Sequence, residues 1–331
     1  MATSKTLTIS VAAYNVEDYI DKTLSSVASS TFIDEIEVFV IDDGGNDRTI
    51  EIAQKYADLY PNSIKLVRKE NGGYGSTVNY SMKNASGKYL KLLDGDDWYE
   101  TTNLEKLIPL LKESNADVIV TDYRKCYPNK SEIVTYANFF MPNKELEMDN
   151  LHELPIMHMW ALMFRTEIVR RMNFTLPEKV FYTDVKFATI PFAGATLLTY
   201  FNLPIYNYRC GRDEQSVSKT SKIRHYKDAV IVTRDEVQYY ENHKSCNNRE
   251  YIRDRIAVSY LDSINTLMYL PASLENLEKV ITWENELKEM SNEIYNRCLH
   301  CSAGKRMALV LRLLRLSKYK LYWIFKKTNM F

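Results

Sequence analysis

The chain has 331 residues, 45% of them hydrophobic, and its 43 Lys and Arg are matched by 43 Asp and Glu. That length is ample for one large α/β domain with an appended helical piece, and a net charge of zero argues against nucleic acid as a partner. The five cysteines, Cys126, Cys210, Cys246, Cys298 and Cys301, are scattered and odd in number, and the amino terminus carries no signal segment. A reducing, cytoplasmic setting is therefore expected, without a disulfide framework.

Residues 8–13 are an apolar run closed by Tyr14 and Asn15, and residues 18–30 carry Ile20, Leu24 and Val27 at helical spacing, so a strand precedes a helix. Residues 37–41 repeat the pattern. This second run ends in the carboxylate pair Asp42 and Asp43, then Gly44 and Gly45, with Asn46 or Asp47 suited to cap a helix reaching about residue 60. Residues 64–68 predict a third strand, residues 71–75 a glycine-rich turn, and the chain from Ser76 a helix leading to Gly87.

The next strand, from Lys88, ends abruptly in Asp94, Asp96 and Asp97. Packed that closely, three carboxylates repel one another unless a cation or hydrogen-bond donors lie among them. An Asx-rich turn explains Asp-Gly-Asp equally well when the stretch is taken alone. Alternating strands and helices predict a mostly parallel sheet with right-handed crossovers, and its strand ends then share one edge, where open α/β sheets bind ligands. Asp42 and Asp94 converge there.

These segments, in this order and spacing over residues 7–100, resemble the donor-site motifs of the inverting glycosyltransferases of family 2, which have the GT-A fold. The resemblance implies an α/β fold with a mostly parallel sheet flanked by helices, and a nucleotide site built from Ala13, Tyr14, Asn15, Asp42, Asp43, Asn71, Gly72, Gly73, Asn79, Asp94 and Gly95. Asp42 would accept a hydrogen bond from a uracil-type N–H, which makes a UDP-sugar the expected donor. Asp96 and Asp97 would hold Mn²⁺ or Mg²⁺ on the diphosphate, hard ions that oxygen-only ligands favour over zinc. Two departures stand out: Gly45 where the family often has Ser, and Val78 where Arg often precedes the matching Asn79.

An inverting transfer needs a base for the acceptor hydroxyl. The segment that matches the family's base is residues 181–188, making Asp184 that base, with Thr183 standing where Glu is usual and placed beside the acceptor. By themselves Thr183 and Asp184 read equally as a helix start. Trp160 resembles the aromatic beside the acceptor, although a core tryptophan is equally compatible, and Arg209, in a stretch resembling the one after the last catalytic strand, stands as a phosphate contact or a surface ion pair. The implied reaction moves a sugar to a hydroxyl of a glycan or lipid-linked acceptor, as in bacterial surface polysaccharide assembly. Two alternatives are a non-catalytic sugar-nucleotide or carbohydrate-binding protein of the same fold, and another nucleotide-dependent transferase. The chain lacks a P-loop and a dinucleotide glycine pattern, which argues against kinases and dehydrogenases.

On this reading residues 1–220 form the catalytic domain, 1–100 its donor-nucleotide half and 101–220 its acceptor half, and residues 221–331 form a helical extension. Helices are expected at about 222–243, 249–269, 274–299 and 305–327. Cys298, His300 and Cys301 have zinc-like spacing but no second pair, so no metal is expected there. Residues 305–331 carry eight basic residues and no acidic one, with Met307, Val310, Leu311, Leu314, Leu321, Tyr322 and Phe325 on one helical face. Such a helix suits an anionic membrane surface, at the inner face of the cell membrane, with the apolar face in the lipid. It suits equally a helix docked on its own domain or on a second subunit of a homo-oligomer.

Overall fold

The computed structural model of the chain describes residues 5–150, 154–211 and 215–328, and the side chain of residue 150 is outside the description. The chain forms two compact units, one of residues 1–179 and 194–211 and the other of residues 180–193 and 212–331. The second unit thus takes in an excursion, residues 180–193, that a single boundary near residue 220 had left with the acceptor half. The expected membrane segment ends at residues 329–331, which lie outside the described residues.

The first unit is built on one mixed sheet. Its strands are β1 (Leu7–Ala13), β2 (Ile36–Asp42), β3 (Ile64–Arg68), β4 (Tyr89–Asp94), β5 (Trp98–Tyr99), β6 (Val118–Tyr127), β7 (Lys130–Val134), β8 (Glu145–Glu147), β9 (Leu162–Arg165) and β10 (Leu197–Arg209). Their order is β3-β2-β1-β4-β9-β6-β10-β5, with β7 on β6 and β8 on β10. The first four strands are parallel, and β9 enters antiparallel to both β4 and β6. Helices α1 (Ile20–Ala28), α2 (Thr49–Leu59), α3 (Tyr74–Asn84), α4 (Thr101–Glu113) and α5 (Thr166–Arg171) cover it.

The run of Val and Ile in β1 and β2 follows from burial on both faces, as parallel strands between helix layers require. Because β1 lies between β2 and β4, with Ala13 opposite Asp42 and Ala12 opposite Asp94, three carboxyl-terminal strand ends meet at one edge. The N-cap position of α2 falls to Arg48, one residue after the expected Asp47, whose Oδ1 still accepts the N–H of Thr49 at 2.9 Å. Asn207 to Arg209, placed by the sequence after the last strand, are instead part of β10.

The second unit is helical: α6 (Asp184–Phe187), α7 (Lys219–Arg224), α8 (Tyr226–Asn242), α9 (Arg249–Tyr269), α10 (Leu274–Met290), α11 (Asn292–Arg297), α12 (Lys305–Leu316) and α13 (Tyr322–Lys327). Helix α9 buries residues all round its circumference and forms the core of the unit. Three of the expected long helices are broken. Residues 222–243 divide at His225, residues 274–299 divide where Ser291 caps a new helix through Ile294 N–H, and residues 305–327 divide at Lys318 and Tyr319, both with positive φ.

That last break bears on the expected membrane face. Met307, Val310, Leu311, Leu314, Tyr322 and Phe325 are buried in the unit itself, so the face assigned to lipid packs on protein. Arg315 is no surface cation either: it pairs with the buried Glu284 at 2.6 and 2.8 Å, and Glu284 also accepts from Tyr260 and Tyr319 hydroxyls. Lys326 Nζ donates to the carbonyls of Met268 and Leu270, closing the end of α9. No described helix is long and apolar enough to cross a membrane.

Candidate active site

The nucleotide side of the site is assembled by three turns at the strand ends. Asn15 follows β1 with φ 51 and accepts the N–H of Asn46 at 2.9 Å, locking the β1 turn onto the β2 turn. Asp42 is buried, and its Oδ1 accepts the N–H of Gly45 at 3.1 Å. Burial raises its pKa, opposed by that N–H and by the charge of Arg68. A Cβ at Gly45 would lie 3.0 Å from Asn15 Oδ1 and 3.2 Å from Asp42 Oδ1, so the glycine found where Ser is frequent fits the close approach of these two turns. Tyr14 stands half-exposed beside them, while Ala13 is buried at the end of β1.

Asp43 and Asn79, both expected at the nucleotide, have other partners. The Asp43 carboxylate accepts Gly72 N–H at 2.9 Å, Gly73 N–H at 2.7 Å, Lys69 Nζ at 2.7 Å and Ser76 Oγ at 3.2 Å, so it shapes the turn of Asn71, Gly72 and Gly73. Asn79 exchanges both amide groups with the backbone of Leu176, at 2.8 and 2.9 Å. These two side chains hold loops in place. Lys69, alone in the loop after β3, and Ser76, in the first turn of α3, were missed because neither carries a motif.

At the end of β4, ligand atoms of Asp94, Asp96 and Asp97 lie within 4.8 Å of one another. Asp94 and Asp96 are half-buried, and Asp97 is fully buried. Asp97 Oδ2 accepts from Tyr206 Oη at 2.7 Å and Oδ1 from the N–H of Arg209 at 2.7 Å. Burial, with the Asp94 charge beside it, holds Asp97 well above the usual carboxylate range. The three carboxylates fit a hard divalent cation by donor type, but Asp97, expected to be a ligand, has both oxygens engaged by the protein, which leaves Asp94 and Asp96 better suited. Gly95 N–H donates to Ala12 O at 3.1 Å, fixing the turn against β1.

Arg209 is neither a loop residue nor in a simple surface pair. Its Nε donates to Asp96 O at 2.9 Å, and its guanidinium lies 4.8 Å from the Tyr19 ring and 5.0 Å from the Trp98 ring. Trp160 is half-buried, stacked on Tyr208 at 3.9 Å and near Tyr123 and His158, so one of its faces is covered by protein. The carbonyls of Trp160 and Leu162 accept from Lys91 Nζ, at 2.8 and 3.3 Å. Lys91 is fully buried in β4, and burial lowers its pKa to about 7. A Lys inside an otherwise apolar strand was the available signal for that support.

In the second unit Asp184 opens α6 just after Tyr182, whose φ is 66. Asp184 is half-buried, and desolvation raises its pKa to about 6, opposed by backbone N–H groups and by the charge of Arg255. A carboxyl near 6 is mostly ionised at neutral pH and more basic than an ordinary carboxylate, as a general base requires. Thr183, expected beside the acceptor, is fully buried. Behind α6, Arg255 Nε donates to Thr189 Oγ1 at 3.0 Å and Thr189 Oγ1 to Val185 O at 2.7 Å, which braces the helix.

A sheet of this order, flanked by helices and with turns and carboxylates gathered at one edge, is a GT-A fold. Residues 8–172 match the family described as Glycosyl transferase family 2, and the chain belongs to that family and is a transferase enzyme. It is 29% identical over 237 residues to an uncharacterized glycosyltransferase of Mycoplasma pneumoniae, covering 69% of this chain and 77% of that one. It is 23% identical over 211 residues to the minor teichoic acid biosynthesis protein GgaB of Bacillus subtilis, covering 63% of this chain and 23% of GgaB. The fold is similar to Staphylococcus aureus TarS residues 1–349 in complex with UDP-GlcNAc, at TM-score 0.70, 19% identity, and coverage of 98% and 93% of the two chains. It is also similar to a Pyrobaculum calidifontis mannosyltransferase in complex with GDP-Man and Mn²⁺, at TM-score 0.52, 16% identity, and coverage of 98% and 84%.

Proposed function

We propose that this glycosyltransferase is an inverting, metal-dependent enzyme that moves a sugar from a nucleotide-diphosphate donor, a UDP-sugar, to a hydroxyl of a glycan or lipid-linked acceptor in cell-surface polysaccharide assembly. The observation that carries the reading is the meeting of Asp42 and the Asp94 group across β1 at one sheet edge. Asp42 recognises the base, Tyr14 stacks on it, and Asp94 and Asp96 hold Mn²⁺ or Mg²⁺. Such an ion supplies neutralisation of the charge that grows on the departing diphosphate. Asp184 takes the proton of the attacking hydroxyl as general base. The donor assignment draws on the neighbours bound to UDP-GlcNAc and GDP-Man, and the pathway on relatives such as GgaB.

Contact with an anionic membrane surface rests on other residues than the sequence suggested. Leu309, Leu316, Trp323 and Ile324 are exposed among Lys305, Arg312, Lys320 and Lys327, with no acidic residue between positions 305 and 328. Cations interleaved with exposed apolar groups suit the headgroup layer.

The test of the catalytic reading is a thermal-shift panel of sugar nucleotides with Mn²⁺, followed by release of nucleoside diphosphate from the best donor. A donor that binds the folded state raises the melting temperature by mass action. Failure of every sugar nucleotide to shift it, or turnover unchanged by EDTA, overturns the reading. Tight binding without turnover on any acceptor or water would leave a binding protein instead.

A further inference from the structure

Beside the acidic strand end, β10 presents a second, oppositely charged group of side chains that the donor chemistry does not use. In the sheet register Asn207 lies opposite Trp98 on one side and Arg124 on the other, and Arg209 lies opposite Cys126. Residues paired across strands share a face, so these five side chains project from one side of the sheet. Lys22, from α1, comes over the same patch with its Nζ 3.4 Å from the centre of the Trp98 ring.

The donors here are short of acceptors. Among the described residues, Arg124 Nε is buried with no hydrogen-bond partner, and so is Asn207 Nδ2 on a side chain only 3% exposed. The Cys126 thiol lies 3.9 Å from Asn207 Oδ1, as a weak donor to it, which leaves the amide nitrogen turned the other way. Burial lowers the pKa of Lys22, and the charge of Arg209 lowers it further. Burial raises the Cys126 thiol, while Arg124, Lys22 and Arg209 act against that rise, so all three cations are near it. Asp97 also acts on this thiol, and its oxygens are held by Tyr206 and the Arg209 backbone. Buried donors without acceptors are costly, and like charges gathered together are costlier, unless an anion joins them.

We propose that Lys22, Arg124 and Asn207, flanked by Arg209, form an anion site for a phosphate group of the acceptor, separate from the donor diphosphate. An ammonium, a guanidinium and an amide arriving from three elements suit a tetrahedral oxyanion, whereas a planar carboxylate is served by a single guanidinium fork. The assignment of the phosphate to the acceptor rests on the transferase reading; the site itself does not.

The experiment uses the full chain and glycerol 3-phosphate as probe, read by saturation-transfer NMR in the presence of Mg²⁺, with and without saturating UDP. Glycerol 3-phosphate is expected to bind in both conditions, with glycerol silent and acetate a poor competitor. Lys22→Gln with Arg124→Gln should weaken it at least tenfold while UDP affinity stays within twofold, and Lys22→Gln alone, at an exposed position, gives the same direction if the double variant does not fold. Displacement of the probe by UDP would make the cluster a donor subsite and overturn the proposal, as would unchanged binding in the variants. Equal competition by acetate would overturn the preference for phosphate. Should UDP fail to bind at all while the probe still responds to Lys22→Gln, the donor reading fails and the anion site stands.

Discussion

The Asp97 carboxylate accepts the backbone N–H of Arg209 at 2.7 Å, which ties the acidic end of β4 to the last residue of β10. Adjacent carboxylates of one motif therefore have different work. Asp97→Ala leaves the Tyr206 hydroxyl and the Arg209 N–H without their acceptor in a buried place, and should cost about 2–3 kcal/mol in urea unfolding. Asp96→Ala should cost less than about 1 kcal/mol yet abolish Mn²⁺-dependent UDP binding, because a half-buried strand-end carboxylate contributes little packing. Equal destabilisation by the two substitutions would contradict this division.

For the base, Asp184→Asn keeps shape and loses the proton acceptor. Turnover should fall by about 10² to 10⁴ with UDP-sugar affinity nearly unchanged. Since burial raises the Asp184 pKa to about 6, the active ionised form is lost as pH falls through that value, and wild-type turnover should rise with pH across it. A pH profile flat between 5 and 7, or near-normal turnover of the variant, would move the base elsewhere.

The C-terminal helices separate stability from surface binding. Arg315→Ala abandons the Glu284 carboxylate in the interior of the helical unit and should destabilise the protein by about 3–5 kcal/mol, and deleting residues 305–331 should do at least as much. Leu309→Ser with Leu316→Ser changes two side chains that are mostly exposed. That variant should melt like wild type and bind vesicles containing anionic lipid more weakly; a wild-type chain that ignores such vesicles would rule out the membrane contact.

Glu236 is fully buried in α8, and desolvation raises its pKa to about 7, opposed by Arg255 and Lys186. A carboxyl with a folded pKa above its unfolded value contributes stability that is present at low pH and lost as pH rises through the folded pKa. Its ionisation should thus remove about 1–1.5 kcal/mol between pH 6 and 8. Glu236→Gln should flatten that part of the stability profile, measured by urea titration at the two pH values. An identical slope in the variant would show that another group carries the dependence.

Much of this protein was legible in its sequence. The period of apolar residues gave β1 to β4 and the helices between them, and strand 64–68 and helix 249–269 fall on their expected bounds, because burial on one or both faces writes a pattern into consecutive residues. Strand-end carboxylates were equally visible as a cluster, although turn chemistry accounts for such residues as well as ligand binding does. What the tertiary structure decided is which polar atoms are already taken. Asp43, Asn79 and Asp97 carry the same letters as ligand-binding residues, yet their partners, Gly72 and Gly73, Leu176, Tyr206 and Arg209, come from other parts of the chain. The same holds for the face of Met307 to Phe325: helical spacing shows that a face is apolar, but whether lipid or protein covers it depends on what packs opposite, and here α12 and α13 bury it within their own unit.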